Sequence, residues 1–175
     1  MLRVGDLERR KPMFIDKDKP VKENSTEDIV ERYRADVKTL LPYLSWLESH
    51  AGKESGISEN YGGERLSGSI SFPVYDSTLL SLVKQAQKTN LLDRNYVYVY
   101  SRNHLQTAED ELKFIEKAEL KDMDDLAGIF SKYILSGMTK GTVWSEGVKN
   151  KVLYSVISKM QELINFWGQE KPLRP

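Results

Sequence analysis

Cysteine is absent from the 175 residues of this chain. Its absence removes disulfides, thiolate nucleophiles and thiolate zinc sites together, and fits a reducing compartment. Net charge is also absent, since 26 Lys and Arg balance 26 Asp and Glu. A dedicated nucleic-acid binder draws much of its affinity from phosphate neutralisation, so this balance argues against one and leaves only a local basic patch open. No apolar run approaches the ~20 residues that span a bilayer, and Met1 to Arg10 has no apolar signal region. A cytoplasmic protein without a membrane partner is the expectation. Histidine is scarce. His50 and His104 each lack a second His or Cys at ligand spacing, so no transition-metal site is expected. Serines occur without a GxSxG elbow, and no motif calls for a cofactor.

What is present is helical periodicity. Val152, Leu153, Val156, Ile157, Met160, Leu163, Ile164 and Trp167 recur at offsets of one, three and four, which places them on one side of a helix over 151–167. Such a stripe needs a partner surface to be stable. Val30, Tyr33, Val37, Leu40, Leu44 and Leu47 make a second seam, opened by Ser25 and Asp28 as an acidic capping box. Pro42 predicts a kink or break near Leu41. Asp76 or Ser77 caps a helix with Leu79, Leu80, Val83 and Ala86 inward. Thr107 and Asp110 cap a segment carrying Leu105, Ala108, Leu112 and Ile115. Asp122 starts a helix to Ser136 with Asp124 and Asp125 in its first turn, where the dipole favours acids, and Gly137 offers its terminus. A short helical turn carrying Trp144 follows, and Asn150 redirects the chain.

Tyr96-Val97-Tyr98-Val99-Tyr100 has the strongest strand pattern, because aromatic and β-branched residues suit a pleated surface. Ser69 to Val74 alternates as well, with Pro73 marking an edge. The expected fold is mainly α: an irregular bundle of about five helices with a minor β element near residues 95–101. Residues 25–170 would form one domain. Residues 1–24 read as a loosely docked arm, with seven bases, five acids, two prolines and one apolar cluster, Met13, Phe14 and Ile15.

Phe72-Pro73-Val74-Tyr75, Asn95-Tyr96, Ile115 to Ala118, Tyr133-Ile134-Leu135-Ser136-Gly137, Trp144 and the Val152–Leu163 helix carry a family likeness. Over residues 72–163, about half the chain, they resemble a bacterial family described only as a domain of unknown function. Members carry an Arg-Glu-Arg-Phe-like stretch followed by glycine. Here Gly137-Met138-Thr139-Lys140-Gly141 stands instead, keeping one base and losing the acid. The resemblance implies a bacterial, mainly helical protein and brings no activity.

Three functional readings follow. With helical faces in plenty and no catalytic motif, the first is a non-catalytic module that self-associates or holds a protein partner. The second is a small enzyme or ligand-binding protein. As a strand, residues 96–104 would align Tyr96, Tyr98, Tyr100, Arg102 and His104 on one face, with histidine titrating near neutrality. Lys140 and Trp144 could hold an anion or stack a base, although GMTKGT lacks the order and spacing of a phosphate loop and reads as an interhelical turn. The binding candidates are therefore Tyr98, Arg102, His104, Lys140 and Trp144. The glycine-rich stretch from Tyr61 to Gly68, with Arg65, has the composition of either a lid or an ordinary loop. The third reading is nucleic-acid association through Arg9, Arg10, Lys11, Lys17 and Lys19.

Overall fold

The computed structural model describes residues 25–61 and 72–169, so the basic arm, Arg65 and Ile70 lie outside the described residues. Helix α1 spans Thr26–Leu40 and begins at the expected capping box. The Ser25 hydroxyl accepts from the Asp28 backbone N–H at 3.2 Å, and Asp28 accepts from the Ser25 backbone N–H at 3.3 Å. Pro42 acts as expected. The chain tightens into a 3-10 turn over Leu41–Tyr43 and resumes as α2, Leu44–His50. Strands β1, Ser58–Tyr61, and β2, Phe72–Tyr75, pair antiparallel with Asn60 opposite Pro73. In a two-stranded ribbon both strands are edges, so Pro73 costs no interior ladder bond.

Helix α3, Ser77–Gln87, is capped by Asp76, which accepts from the Thr78 N–H at 2.7 Å. Leu82 is buried on it, whereas Leu80, expected inward, is exposed. Helices α5, Ala108–Lys117, and α6, Met123–Thr139, occupy the expected segments, and α5 carries the Thr107–Asp110 capping box. Helix α7, Thr142–Lys149, carries Trp144, and α8 spans Val152–Trp167. Between α7 and α8 the chain turns on Lys151, whose φ of 68° is left-handed. Asn150 supports the turn by accepting from the Val152 N–H at 3.0 Å.

The main departure is Tyr96–Arg102, which forms helix α4 rather than a strand. The short β element lies instead at 58–61 and 72–75, and the described residues hold more helices than the five expected. The physical reason is on α6. Val99 is buried against Gly128, where a Cβ would sit 2.6 Å from Val99 Cγ2, so the glycine admits α4 as a helix at close range. Helix propensities of Tyr and Val fall only about 0.5 kcal/mol short of better formers, a deficit that packing readily exceeds. As a helix, α4 sends Tyr96 and Tyr100 to one side, their rings 6.4 Å apart, and leaves Val97 and Tyr98 in solvent.

One core joins the helices. Helix α8 runs through it, packing against α1, α2, α5, α6 and α7, with Val152, Leu153, Val156, Ile157 and Met160 fully buried. The apolar stripe ends early: Trp167, expected inward, is half-exposed beside an exposed Phe166. Gly137 does not terminate α6. It lies buried inside the helix, where its missing side chain leaves room for the Trp144 indole. Among the described residues no helix is long and apolar enough to cross a membrane.

Candidate functional site

The five sequence candidates do not meet on one face. Tyr98 is exposed on α4. Arg102 pairs with Asp125, which also accepts from Asn103 Nδ2 at 3.2 Å. His104 is exposed in a left-handed turn, φ 53°, at the rim of a shallow depression with Asp110, Lys113, Phe114 and Lys117. Lys140 is exposed after the end of α6. Trp144 lies on Gly137, donates from Nε1 to the Ile134 carbonyl at 3.0 Å, and meets Tyr75 edge-on at 5.5 Å. Its indole is thus used in joining α6, α7 and β2. Asp124 and Asp125, the first-turn acids of α6, hold Tyr33 and Arg102.

A different polar cluster is built, around Glu111 on α5. Glu111 is 2% exposed and is held by three donors from two other helices. Oε1 accepts from the Tyr100 hydroxyl at 2.9 Å and from Lys132 Nζ at 3.0 Å, while Oε2 accepts from the Tyr133 hydroxyl at 2.5 Å. Asn150 Nδ2 donates to Tyr133 Oη at 2.9 Å, and Lys132 lies over both phenol rings, at 5.1 and 4.5 Å. The cluster ties α4, α5, α6 and the α7–α8 turn to one carboxylate. Ion-pairing and charge-assisted hydrogen bonds compensate its burial. To serve as a base it would have to release these donors, so its arrangement is that of a structural tie.

Sequence reading passed over Glu111 because an acid in a first helical turn is explained by the dipole. A signal was present all the same: Glu111 falls between Ala108 and Ile115 at offsets of three and four, on the inward face of α5.

Burial, reinforced by the Glu111 charge and hydrogen bond, pushes both the Tyr100 and Tyr133 phenols well above the ordinary value of about 10. The native state therefore retains protons that the unfolded chain sheds. The associated stability is complete below about pH 10 and declines above it, by about 1.4 kcal/mol per pH unit for each phenol still protonated. Titration followed by tyrosinate absorbance should show two of the nine tyrosines ionising only as the protein unfolds. All nine titrating reversibly near pH 10 would contradict this.

The second feature is apolar. The first turn of α1, residues 118–121 and the end of α8 enclose a groove of about 670 Å³. Its walls include Thr26, Ile29, Leu120, Leu163, Phe166 and Trp167, with Glu119, Lys121 and Glu162 at the lining. Trp167 also walls an adjoining hollow of about 350 Å³ with Val30, Glu27, Glu31 and Arg34. Phe166 and Trp167 are 67% and 50% exposed, their rings edge-to-face at 5.1 Å.

Compared with protein-family models, curated proteins and solved structures, the chain matches none. Two features thus carry the chemistry: a saturated, buried carboxylate and an open apolar groove beside paired aromatics. The first is closed to a ligand. The second is open to solvent.

Proposed function

We propose that this chain is a non-catalytic interaction module, a cytoplasmic protein of the bacterial family it resembles, whose docking surface is the groove between α1 and α8. The observation that carries this reading is the pair Phe166 and Trp167, held by a packed helix yet largely in solvent at the mouth of the groove. Large aromatics bordering a concave apolar surface are the usual anchors of a polypeptide interface. The groove has the volume of a ligand site, and its lining residues together with those of the adjoining hollow carry Glu27, Glu31, Glu119 and Glu162 against Lys121 and Arg34. Glu31, Glu119 and Glu162 already pair with Arg34, Lys121 and Lys159, so the lining fits a segment offering chiefly large apolar side chains.

A photo-crosslinking phenylalanine analogue at position 166 of the full chain, expressed in cells, tests the proposal. It should join a polypeptide several-fold more efficiently than the same analogue at Tyr98, which is as exposed but lines neither this groove nor the adjoining hollow. Trp167→Ala should reduce that yield. Equal yields at the two positions would refute the docking surface.

A further inference from the structure

We infer that the occupant of this groove is the chain's own N-terminal segment, with Met13, Phe14 and Ile15 seated between α1 and the end of α8. This rests on the reading of the groove as a docking surface and names its ligand.

Placement is the first argument. Thr26, the first residue of α1, is itself a groove wall, so the 24 residues before Ser25 enter the described structure at the groove's edge. Phe14 precedes Thr26 by twelve positions. Twelve residues extend to about 40 Å at most, and an unconstrained chain of that length has a root-mean-square span of about 20 Å. The triad thus reaches the groove without strain, at an effective concentration on the order of 1 mM.

Chemistry is the second argument. Met13-Phe14-Ile15 is the only run of three large apolar residues before α1. It is flanked by Arg9, Arg10 and Lys11 on one side and by Lys17 and Lys19 on the other, with Asp16 and Asp18 between. Of the four acids at the groove and the adjoining hollow, Glu31, Glu119 and Glu162 pair with Arg34, Lys121 and Lys159, which leaves Glu27 to meet the bases of the segment. The match is therefore chiefly apolar, a run of three large side chains for a groove lined by Ile29, Leu120, Leu163, Phe166 and Trp167. The last residues, 170–175, leave from the same corner but offer Leu173 as their single large apolar side chain.

This arrangement makes the segment a competitor of any other polypeptide for the groove. A partner would have to outcompete a tethered ligand or withdraw it.

The experiment uses a labelled synthetic peptide of residues 9–19 and full-length protein in three forms: wild type, Phe14→Asp, and Phe14→Asp with Trp167→Ala. Phe14 lies outside the described residues and Trp167 is half-exposed, and thermal melts should show all three forms folding alike. Fluorescence anisotropy should show the peptide binding Phe14→Asp at least ten-fold more tightly than wild type, whose groove is filled by its own segment. For a free-peptide Kd near 0.1 mM, a tether supplying about 1 mM gives that factor. Adding Trp167→Ala should abolish the binding. Equal binding to wild type and Phe14→Asp would overturn the inference, as would binding to neither. Sedimentation of wild type as a dimer that Phe14→Asp dissociates would overturn it too, because the segment would then fill a second copy's groove. Crosslinking at position 166 to any polypeptide, the chain's own segment included, supports the docking surface, whereas only the anisotropy series names the occupant, so the two fail separately.

Discussion

Glu111→Ala should lower the unfolding free energy by about 3–4 kcal/mol, the scale seen when one partner of a buried, hydrogen-bonded charge pair is removed. The substitution withdraws the acceptor of three donors at once: the Tyr100 and Tyr133 hydroxyls and Lys132 Nζ. Tyr133 is 2% exposed and keeps its bond from Asn150, but its own proton is left without an acceptor. Lys132 is one-third exposed and can swing toward water, which keeps the loss at the lower end of the range. Glu111→Gln preserves shape and one acceptor oxygen while losing the charge, so it should fall between Ala and wild type. Urea denaturation with an unchanged m-value measures both. A loss under about 1 kcal/mol for Glu111→Ala would show that the cluster is not a tie. The phenols supply an independent reading. In Glu111→Ala, tyrosine ionisation should begin at lower pH, because the charge that opposes it is gone.

The second large effect is expected at Gly137. A Cβ there would lie 2.0 Å from Trp144 Cδ1 and 2.1 Å from Nε1, closer than any real side chain tolerates. The indole cannot yield easily, being held by the Ile134 carbonyl and braced edge-on by Tyr75. Gly137→Val should therefore expel Trp144 from its seat and cost about 3 kcal/mol, combining overpacking with the lost hydrogen bond. Gly137→Ala should cost less, since alanine recovers about 1 kcal/mol of helix propensity. Tryptophan emission should shift to the red and the near-ultraviolet circular dichroism of the indole should weaken. A variant at Gly137 that melts at or above the wild-type temperature would contradict the packing described.

Both sites show where sequence reading stopped. The capping boxes at Ser25 and Thr107 and the break at Pro42 were legible because their partners lie within four residues. Helix α8 was legible because its inward positions repeat over four turns. Gly137 has the local signature of a terminator, since glycine after an apolar helix usually ends it, and only a tryptophan seven residues on explains its place within α6. The alternation in Tyr96–Tyr100 fits a strand locally. Spacing of four also puts Tyr96 and Tyr100 on one helical face, and the contact between Val99 and Gly128 decides between the two. Once that helix forms, Tyr98 and Tyr100 part company, and the expected row of Tyr, Arg and His side chains does not exist.

What the sequence alone determined was the mainly helical class, most helix starts, the proline break and the apolar face of α8, because all of these are set by residues one to four positions apart. Tertiary structure decided the state of α4, the burial of Glu111, the role of Gly137 and the groove beside Trp167. Each of these depends on a neighbour distant along the chain, and a close approach between two helices is an energy that no local pattern contains.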